Sequence, residues 1–469
     1  MTRRFLSPVL LTLLFAAAAS AELRLPAIFS DHMILQRGAP DPVWGWADAG
    51  ARVTVRFAGQ SHSTTAAPDG RWMVRLDALE ASAEPRELSV EAQRGDATET
   101  VRLQDVVVGE VWLMSGQSNM EMPLRGYGNQ PILGSNDAVA HATNRNLRLF
   151  TVPHVAAAEP ASDVVGRWET SSPSAALDFS AVGHTFITYL EEVLNVPVGG
   201  IDSSWGGTPV QAWTERSILA AVDGVDLTRV RERDQDKPEY LYNGMIHPLA
   251  PYGIRGALWY QGESNVGEAH LYEGMFSAMI KNWRDRFGRG DFPFYFVQIA
   301  PYEYGQNNSA YLREAQLKTM LNVPNTGMAS TMDIGLARNI HPPEKIVVGK
   351  RLAYWALANT YGMEGIRYAG PIYREMSVEE GAAVVRFDHA PDGLATSGAE
   401  LTGFTVAGDD KVFHLAEARI VRGGAVRVSS PAVPNPVAVR YAWQNWIVAR
   451  SSITQACLPH PSAPMSGKA

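Results

Sequence analysis

Three short polar loops, each entered from an apolar run, hold the residues of this chain best suited to do chemistry. Residues 106–114, apolar except for Gly109-Glu110, lead into Ser115-Gly116-Gln117-Ser118-Asn119. Residues 257–260 lead into Gln261-Gly262-Glu263-Ser264-Asn265, and a short predicted strand from Met328 to Asp333 leads through a loop to His341 and Pro342-Pro343. Apolar runs of this kind suit strands buried in a parallel sheet, and in open α/β sheets the loops at the carboxyl ends of the strands line the ligand crevice. A serine, side-chain amides, an acid and a histidine brought to one crevice are the inventory for nucleophilic acyl transfer. A serine just past a lone strand would more often cap the following helix. The two further loops favour the nucleophile.

The motifs are also specific as a set. GQSNM (116–120), SSWGGTPVQAW (203–213), WYQGESN (259–265) and the closing Asp333 with Ile340-His341-Pro342 resemble the sialate O-acetylesterase-type branch of the SGNH hydrolases. The similarity spans roughly residues 22–360 and includes the opening LPAIFSDHMILQRGAPDPVWGWA (25–47). It implies an α/β fold, an SGNH-hydrolase (flavodoxin-like) three-layer parallel sheet, with flanking N- and C-terminal antiparallel β domains. The implied activity is removal of acetyl groups from sugar hydroxyls, with no cofactor or metal. Such relatives include esterases of acetylated plant polysaccharides, so xylan and xyloglucan oligosaccharides stand beside sialosides as expected substrates. A non-catalytic glycan-binding protein is the reading of a different class, and the intact Ser118/His341 pair speaks against it.

Within this scheme Ser118 is the nucleophile, and because a serine hydroxyl is a poor nucleophile at neutral pH it needs a base to take its proton. Of eleven histidines, His341 is the expected base, in a loop between a predicted strand and helix where the resemblance places the catalytic histidine; His184 and His247 read as structural. Family members commonly show Asp-Ile-His-Pro, but Asn339 stands at the acid's position here, and a neutral amide cannot stabilise an imidazolium as a carboxylate would. Asp333 is therefore expected as the third member, with a Ser-His dyad assisted by a main-chain carbonyl as the alternative. The oxyanion is expected to meet the backbone N–H groups of Ser118 and Gly207, the latter in a glycine loop that permits close approach. A side-chain amide completes the hole. The resemblance points to the GESN loop for it, and Gln261 is favoured narrowly over Asn265. Glu263 is expected to anchor its loop or to pair with an arginine.

Other chemistries find less support. Met120 replaces the second glycine of G-x-S-x-G, which disfavours the α/β-hydrolase elbow, and neither HExxH nor a nucleotide-binding glycine loop occurs. No motif supports a carboxylate pair for glycoside hydrolysis. For substrate binding, Arg338 is the candidate for a sialic acid carboxylate, while Trp205, Trp213 and Trp259 are candidate platforms for neutral glycans. Larger relatives carry a long insertion between the positions matching Trp213 and Tyr240, where this chain has a short connection.

Composition reads as that of an ordinary globular protein. With 46% hydrophobic and 19% charged residues and a formal net charge of −8 over 469 residues, the chain has no basic surface to recommend nucleic acid or anionic membrane as a partner. Residues 1–21 read as a signal peptide, with Arg3 and Arg4, an apolar stretch over 10–18 and the small-residue site Ala19-Ser20-Ala21. This implies export to a bacterial periplasm or secretion, with no membrane contact after cleavage. The single cysteine, Cys457, allows no intramolecular disulfide. Oligomeric state is not legible.

The elements that must position these loops fall into three expected domains. Residues 22–104 carry period-two strands around Val53, Val74 and Val90, with a turn at Pro68-Asp69-Gly70, and Asp31-His32-Met33 there reads as structural or as a brace for the catalytic domain. Residues 105–362 form the catalytic domain, with helical stripes at Val182, Phe186, Tyr189, Leu190, Val193 and at Leu271, Met275, Met279, Trp283. Residues 363–456 form a second β-sandwich-like unit, lying against the first β domain or acting as a separate carbohydrate-binding module. Its Tyr441, Trp443 and Trp446 are core aromatics or sugar platforms. Residues 457–469 are a tail.

Overall fold

The apolar run that enters the Ser118 loop is the end of one long strand, Ala97–Gly116. A computed structural model of the chain describes residues 23–395 and 401–446; the expected signal segment, Cys457 and the tail lie outside the described residues. The strand's first half pairs antiparallel with Ser82–Arg94, which in turn pairs with Arg52–Phe57. Its second half pairs in parallel with Val198–Ser204 on one side and Gly256–Tyr260 on the other. The expected boundary at 104/105 therefore falls inside a continuous element. The change from alternating to continuous apolar residues along it marks a change from one-sided to two-sided burial, not a break in the chain.

Around this strand the main sheet runs Thr326–Ala329, Phe294–Val297, Gly256–Tyr260, Ala97–Gly116, Val198–Ser204, Asn144–Thr151, Trp168–Ser171, all parallel except the last. Helices Ala181–Leu194 and Lys345–Trp355 pack together against it, as do Ala269–Phe287 and Ala310–Asn322. Of the apolar stripes expected for two of these helices, Val182, Phe186, Leu190, Met275, Met279 and Trp283 are buried, Tyr189 and Leu271 are half-buried, and Val193, on the last turn of its helix, is exposed. One continuous core joins the N-terminal β region to the main sheet.

Two polar braces cross this junction. Glu110, fully buried in the long strand, accepts from Gln36 of the N-terminal region and pairs with Arg37 and Arg255. His32 meets Asp105 at 2.7 Å, and Asp105 also takes both terminal nitrogens of the buried Arg148. The histidine of the Asp-His-Met triplet is thus structural, and it lies in the brace that the family resemblance had left open.

The C-terminal region forms a four-stranded and a three-stranded antiparallel sheet around its own core, which includes Tyr441. It is tied to the catalytic region through Arg313, whose guanidinium donates to the carbonyls of Ala442 (3.0 Å) and Gln444 (2.6 Å). Trp443 stands edge-on to Tyr311 of the same helix.

Candidate active site

Because the long strand lies between Val198–Ser204 and Gly256–Tyr260, its terminal loop emerges between the loops that follow those two strands. Chain order reverses at this point, which in open α/β sheets is where the ligand crevice opens. The approach is tight. Gly116 has φ +139°, and a Cβ there would lie 2.2 Å from the carbonyl oxygen of Tyr260, so a side chain cannot be fitted. The amide of Gln117 then bonds Tyr260 (3.0 Å), and its side-chain oxygen accepts from the backbone of Gly262 (3.3 Å) and Ser264 (3.2 Å). Ser118 opens the short helix Ser118–Glu121, so its N–H has no intrahelical partner.

His341 reaches across from the late loop. Its Nε2 is 2.8 Å from Ser118 Oγ, and its Nδ1 is 2.7 Å from Oε1 of Gln130. With the amide oxygen accepting from Nδ1–H, the lone pair rests on Nε2, facing the hydroxyl. Burial, helped by the nearby Lys345 ammonium and opposed by Glu121, pushes the imidazole down to about 4. At neutral pH it is uncharged. The ring edge of Tyr127 packs on it at 5.4 Å between centroids.

The expected acid is elsewhere. Both carboxylate oxygens of Asp333 are held by Arg351, at 2.7 and 2.6 Å, and the strand preceding it ends at Ala329 rather than at Asp333. A carboxylate satisfied by a bidentate guanidinium has no call on the imidazole, whose Nδ1 is already taken by Gln130. Asn339 accepts from the backbone N–H of His341 (3.0 Å) and so shapes the histidine's loop.

The glycine loop meets Ser118 closely: a Cβ on Gly206 would lie 3.3 Å from that of Ser118 and 2.8 Å from Glu121 Oε2. Glu121 holds this loop by accepting from the Gly206 N–H (2.7 Å) and pairs with His154 (2.9 Å), whose ring stacks on Trp205 at 4.3 Å. That bond to Glu121 raises the His154 pKa. Gly207 follows with φ +73°.

The amides expected in the oxyanion hole are committed. Gln261 and Asn265 are both fully buried. Gln261 donates to Thr208 O (3.1 Å) and to Asn265 Oδ1 (2.8 Å), and Asn265 donates to Gln211 (2.9 Å) while accepting from the Val210 N–H. They brace the loop that follows Gly207 instead of facing the crevice. Trp213, expected at the substrate, is likewise fully buried, its indole N–H on Thr208 and its ring edge-on to the equally buried Trp259. Trp205 is the half-exposed member of the expected platforms, and Arg338 is exposed, three residues before the histidine.

Behind Ser118 lies a buried charged network. Asn119 donates to Glu263 (2.6 Å) and to the carbonyl of Ile340 (3.0 Å), and accepts from Lys345. One side chain thus joins all three loops. Glu263 anchors its loop, as anticipated, but its cationic neighbour is a lysine. Burial drives the Lys345 pKa down to about 7 and that of Glu263 up. His184, buried and 3.2 Å from Ser171 Oγ, and His247, on the carbonyl of Ala161, are structural. Gln130 and Lys345 carried no sequence signal: an amide in an irregular loop and a lysine opening a helix match no motif.

A parallel sheet of this order, with a serine past its central strand and a late histidine at the same crevice, defines the SGNH type of fold. A profile described as carbohydrate esterase, sialic acid-specific acetylesterase, matches residues 108–358. A sialate O-acetylesterase of Rattus norvegicus is 32% identical over 423 residues, covering 76% of this chain and 77% of its own. A sialate O-acetylesterase of Homo sapiens is 32% identical over 400 residues, covering 76% and 74%. The crystal structure of a carbohydrate acetylesterase from Xanthomonas citri superposes with a TM-score of 0.83 at 36% identity, covering 94% of this chain and 98% of its own. The chain belongs to the sialic acid-specific acetylesterase family of carbohydrate esterases.

Proposed function

We propose that this protein hydrolyses acetyl esters on sugar hydroxyls through a Ser118 acetyl-enzyme. The observation that carries this is the 2.8 Å contact between Ser118 Oγ and an uncharged His341 Nε2. As Oγ attacks the acetyl carbon, its proton passes to Nε2. The carbonyl oxygen becomes an oxyanion, received by the backbone N–H groups of Ser118 and Gly207, each worth roughly 3 kcal/mol to the barrier. Collapse breaks the bond to the sugar oxygen, which takes the proton from the imidazolium. Water then repeats the cycle on the acetyl-enzyme and releases acetate.

The third member of the relay is Gln130, which fixes the tautomer without supplying charge. Segment 1–21 supports action outside the cytoplasm. Arg338, exposed and in no ion pair among the described residues, favours a carboxylate-bearing sialic acid over a neutral hemicellulose. Acetate release from acetylated sialosides against xylan and xyloglucan oligosaccharides separates the two. The test of the mechanism is Ser118→Ala, which should abolish aryl acetate hydrolysis while the protein stays folded. A serine-directed phosphonate should label the parent and not the variant. Retained hydrolysis would refute the assignment, and an unlabelled, inactive parent would leave a glycan binder.

A further inference from the structure

One β ribbon of the N-terminal region wears an unburied aromatic face. Strands Asp41–Trp46 and Arg71–Leu76 pair so that Trp46 lies opposite Arg71 and Trp44 opposite Met73. Side chains alternate across a strand, so these four share one face. The other face, with Val43, Trp72, Val74 and Leu76, is buried, whereas Trp44 and Trp46 are half-buried and Arg71 and Met73 exposed. The exposed face forms one wall of a cleft of about 380 Å³ whose other wall is His247, Pro251 and Arg286 of the catalytic region. That volume lies within the range of ligand sites, about 300–1,000 Å³. The cleft shares no residue with the site around Ser118.

Its charge is one-sided. No aspartate or glutamate lines it, although the chain as a whole is acidic. Arg286 forms no ion pair among the described residues, and Arg71 has only the exposed Asp69 at 3.6 Å. The cavity on the far side of Arg286 is acidic, lined by Glu159, Glu215, Glu239 and Asp285; Asp285 pairs with Lys281, whereas Glu215 accepts from Ser217 and Asn282, neither of them a cation. Burial first, then Arg286 and Arg71, hold the His247 pKa below the ordinary value, against the opposing pull of the Ala161 carbonyl and Glu215. Arg24 covers one face of Trp46 at 3.7 Å, and Trp44 rests edge-on against Phe29. The walls are fixed, with the Ala161 carbonyl on His247 and its N–H on Asn243.

We propose that this cleft is a second glycan site, taking a pyranose that bears a carboxylate. The apolar face of the ring lies on the half-exposed tryptophans, and Arg71 and Arg286 receive the acid group. Guanidinium forks suit carboxylates, and aromatic faces suit the C–H side of a sugar. Such a site would hold an acidic glycan chain on the enzyme whichever ester Ser118 cleaves.

The experiment titrates the full chain carrying Ser118→Ala with N-acetylneuraminic acid, glucuronic acid and glucose, following ligand signals by saturation-transfer NMR. The acidic sugars should bind saturably, and adding Arg71→Gln and Arg286→Gln should weaken them by about tenfold or more. Glucose should bind more weakly and be indifferent to the arginines. The same two substitutions in a chain that keeps Ser118 should leave aryl acetate hydrolysis unchanged. Absence of acidic-sugar binding, equal binding by the arginine variant, or equal binding of glucose would overturn the proposal. A fall in aryl acetate hydrolysis with the circular dichroism spectrum intact would also overturn it, by making the arginines part of the catalytic site.

Discussion

Replacing Gln130 by glutamate puts a negative charge where an amide oxygen now sits, 2.7 Å from His341 Nδ1. The change is nearly isosteric. The Gln130 Nε2 donates to no protein group among the described residues, so no bond is lost with it. Two unit charges about 4 Å apart interact by roughly 4 kcal/mol at an effective dielectric near 20, and water reaching this half-buried site reduces that. A carboxylate at such range typically raises an imidazole's pKa by about 1 to 3. The parent imidazole stands at about 4.

The assay is the pH dependence of kcat/KM on an aryl acetate, which reports the base of the free enzyme. The parent should hold its activity down to about pH 4, and Gln130→Glu should lose it at a pH higher by about 1 to 3. Gln130→Ala frees the ring to rotate and choose its tautomer, and should cost roughly 100-fold in kcat. Asp333→Asn, which touches only the Arg351 pair, should leave both kcat and the acid limb near those of the parent. An unmoved limb in Gln130→Glu, together with full activity in Gln130→Ala and collapse in Asp333→Asn, would refute the reasoning and return the role to the aspartate.

Two further expectations concern the buried charges. Lys345→Met leaves the buried Asn119 carbonyl without its donor and removes a charge that favours ionised Glu263, and should cost about 1–3 kcal/mol in urea unfolding, whereas adding Glu263→Gln should recover part of it; a second substitution that only deepens the loss would show the two are not coupled. His184 is held near 4 by burial, so below its ordinary value of 6.5 the unfolded chain takes up a proton that the folded one refuses. Its contribution is complete above pH 6.5 and is lost as pH falls toward 4, by up to about 3 kcal/mol, so His184→Asn should flatten the decline of melting temperature over that interval. An unchanged slope would sink that account.

The strands and helices that position the site were largely legible because each carries its burial in its spacing. Residues 181–194 and 269–287 announced themselves by apolar stripes, and 106–116 by a run with no polar face. Ser118 and His341 could be singled out as a pair because few residue types can serve as nucleophile and base, and their side chains do meet, at 2.8 Å. What escaped was set by pairing across space. Asp333 carries the right group for the triad, but Arg351, eighteen residues on and one face of a helix away, claims it. Gln261 and Asn265 carry the right amides, yet each is consumed by carbonyls and amides of the 208–211 segment. Trp213 has the composition of a sugar platform and the burial of a core residue. In each case the chemistry of the side chain was read correctly and its partner was not, since nothing in the local sequence names a partner more than a few residues off.

In the proposed mechanism, an amide in the orienting position also shifts the division of labour in catalysis. An imidazole near 4 is a weak base toward the serine hydroxyl, but its conjugate acid is strong and gives its proton readily to the departing sugar oxygen. A sugar alkoxide is a poor leaving group and needs that proton; a phenolate from an aryl acetate does not. Raising the imidazole's pKa therefore helps proton abstraction and hinders expulsion. Gln130→Glu should accordingly favour aryl acetates over acetylated sugars relative to the parent, at a pH where both forms are fully deprotonated. Equal effects on the two substrates would mean that proton donation to the leaving oxygen does not limit sugar deacetylation, and that the amide serves geometry alone.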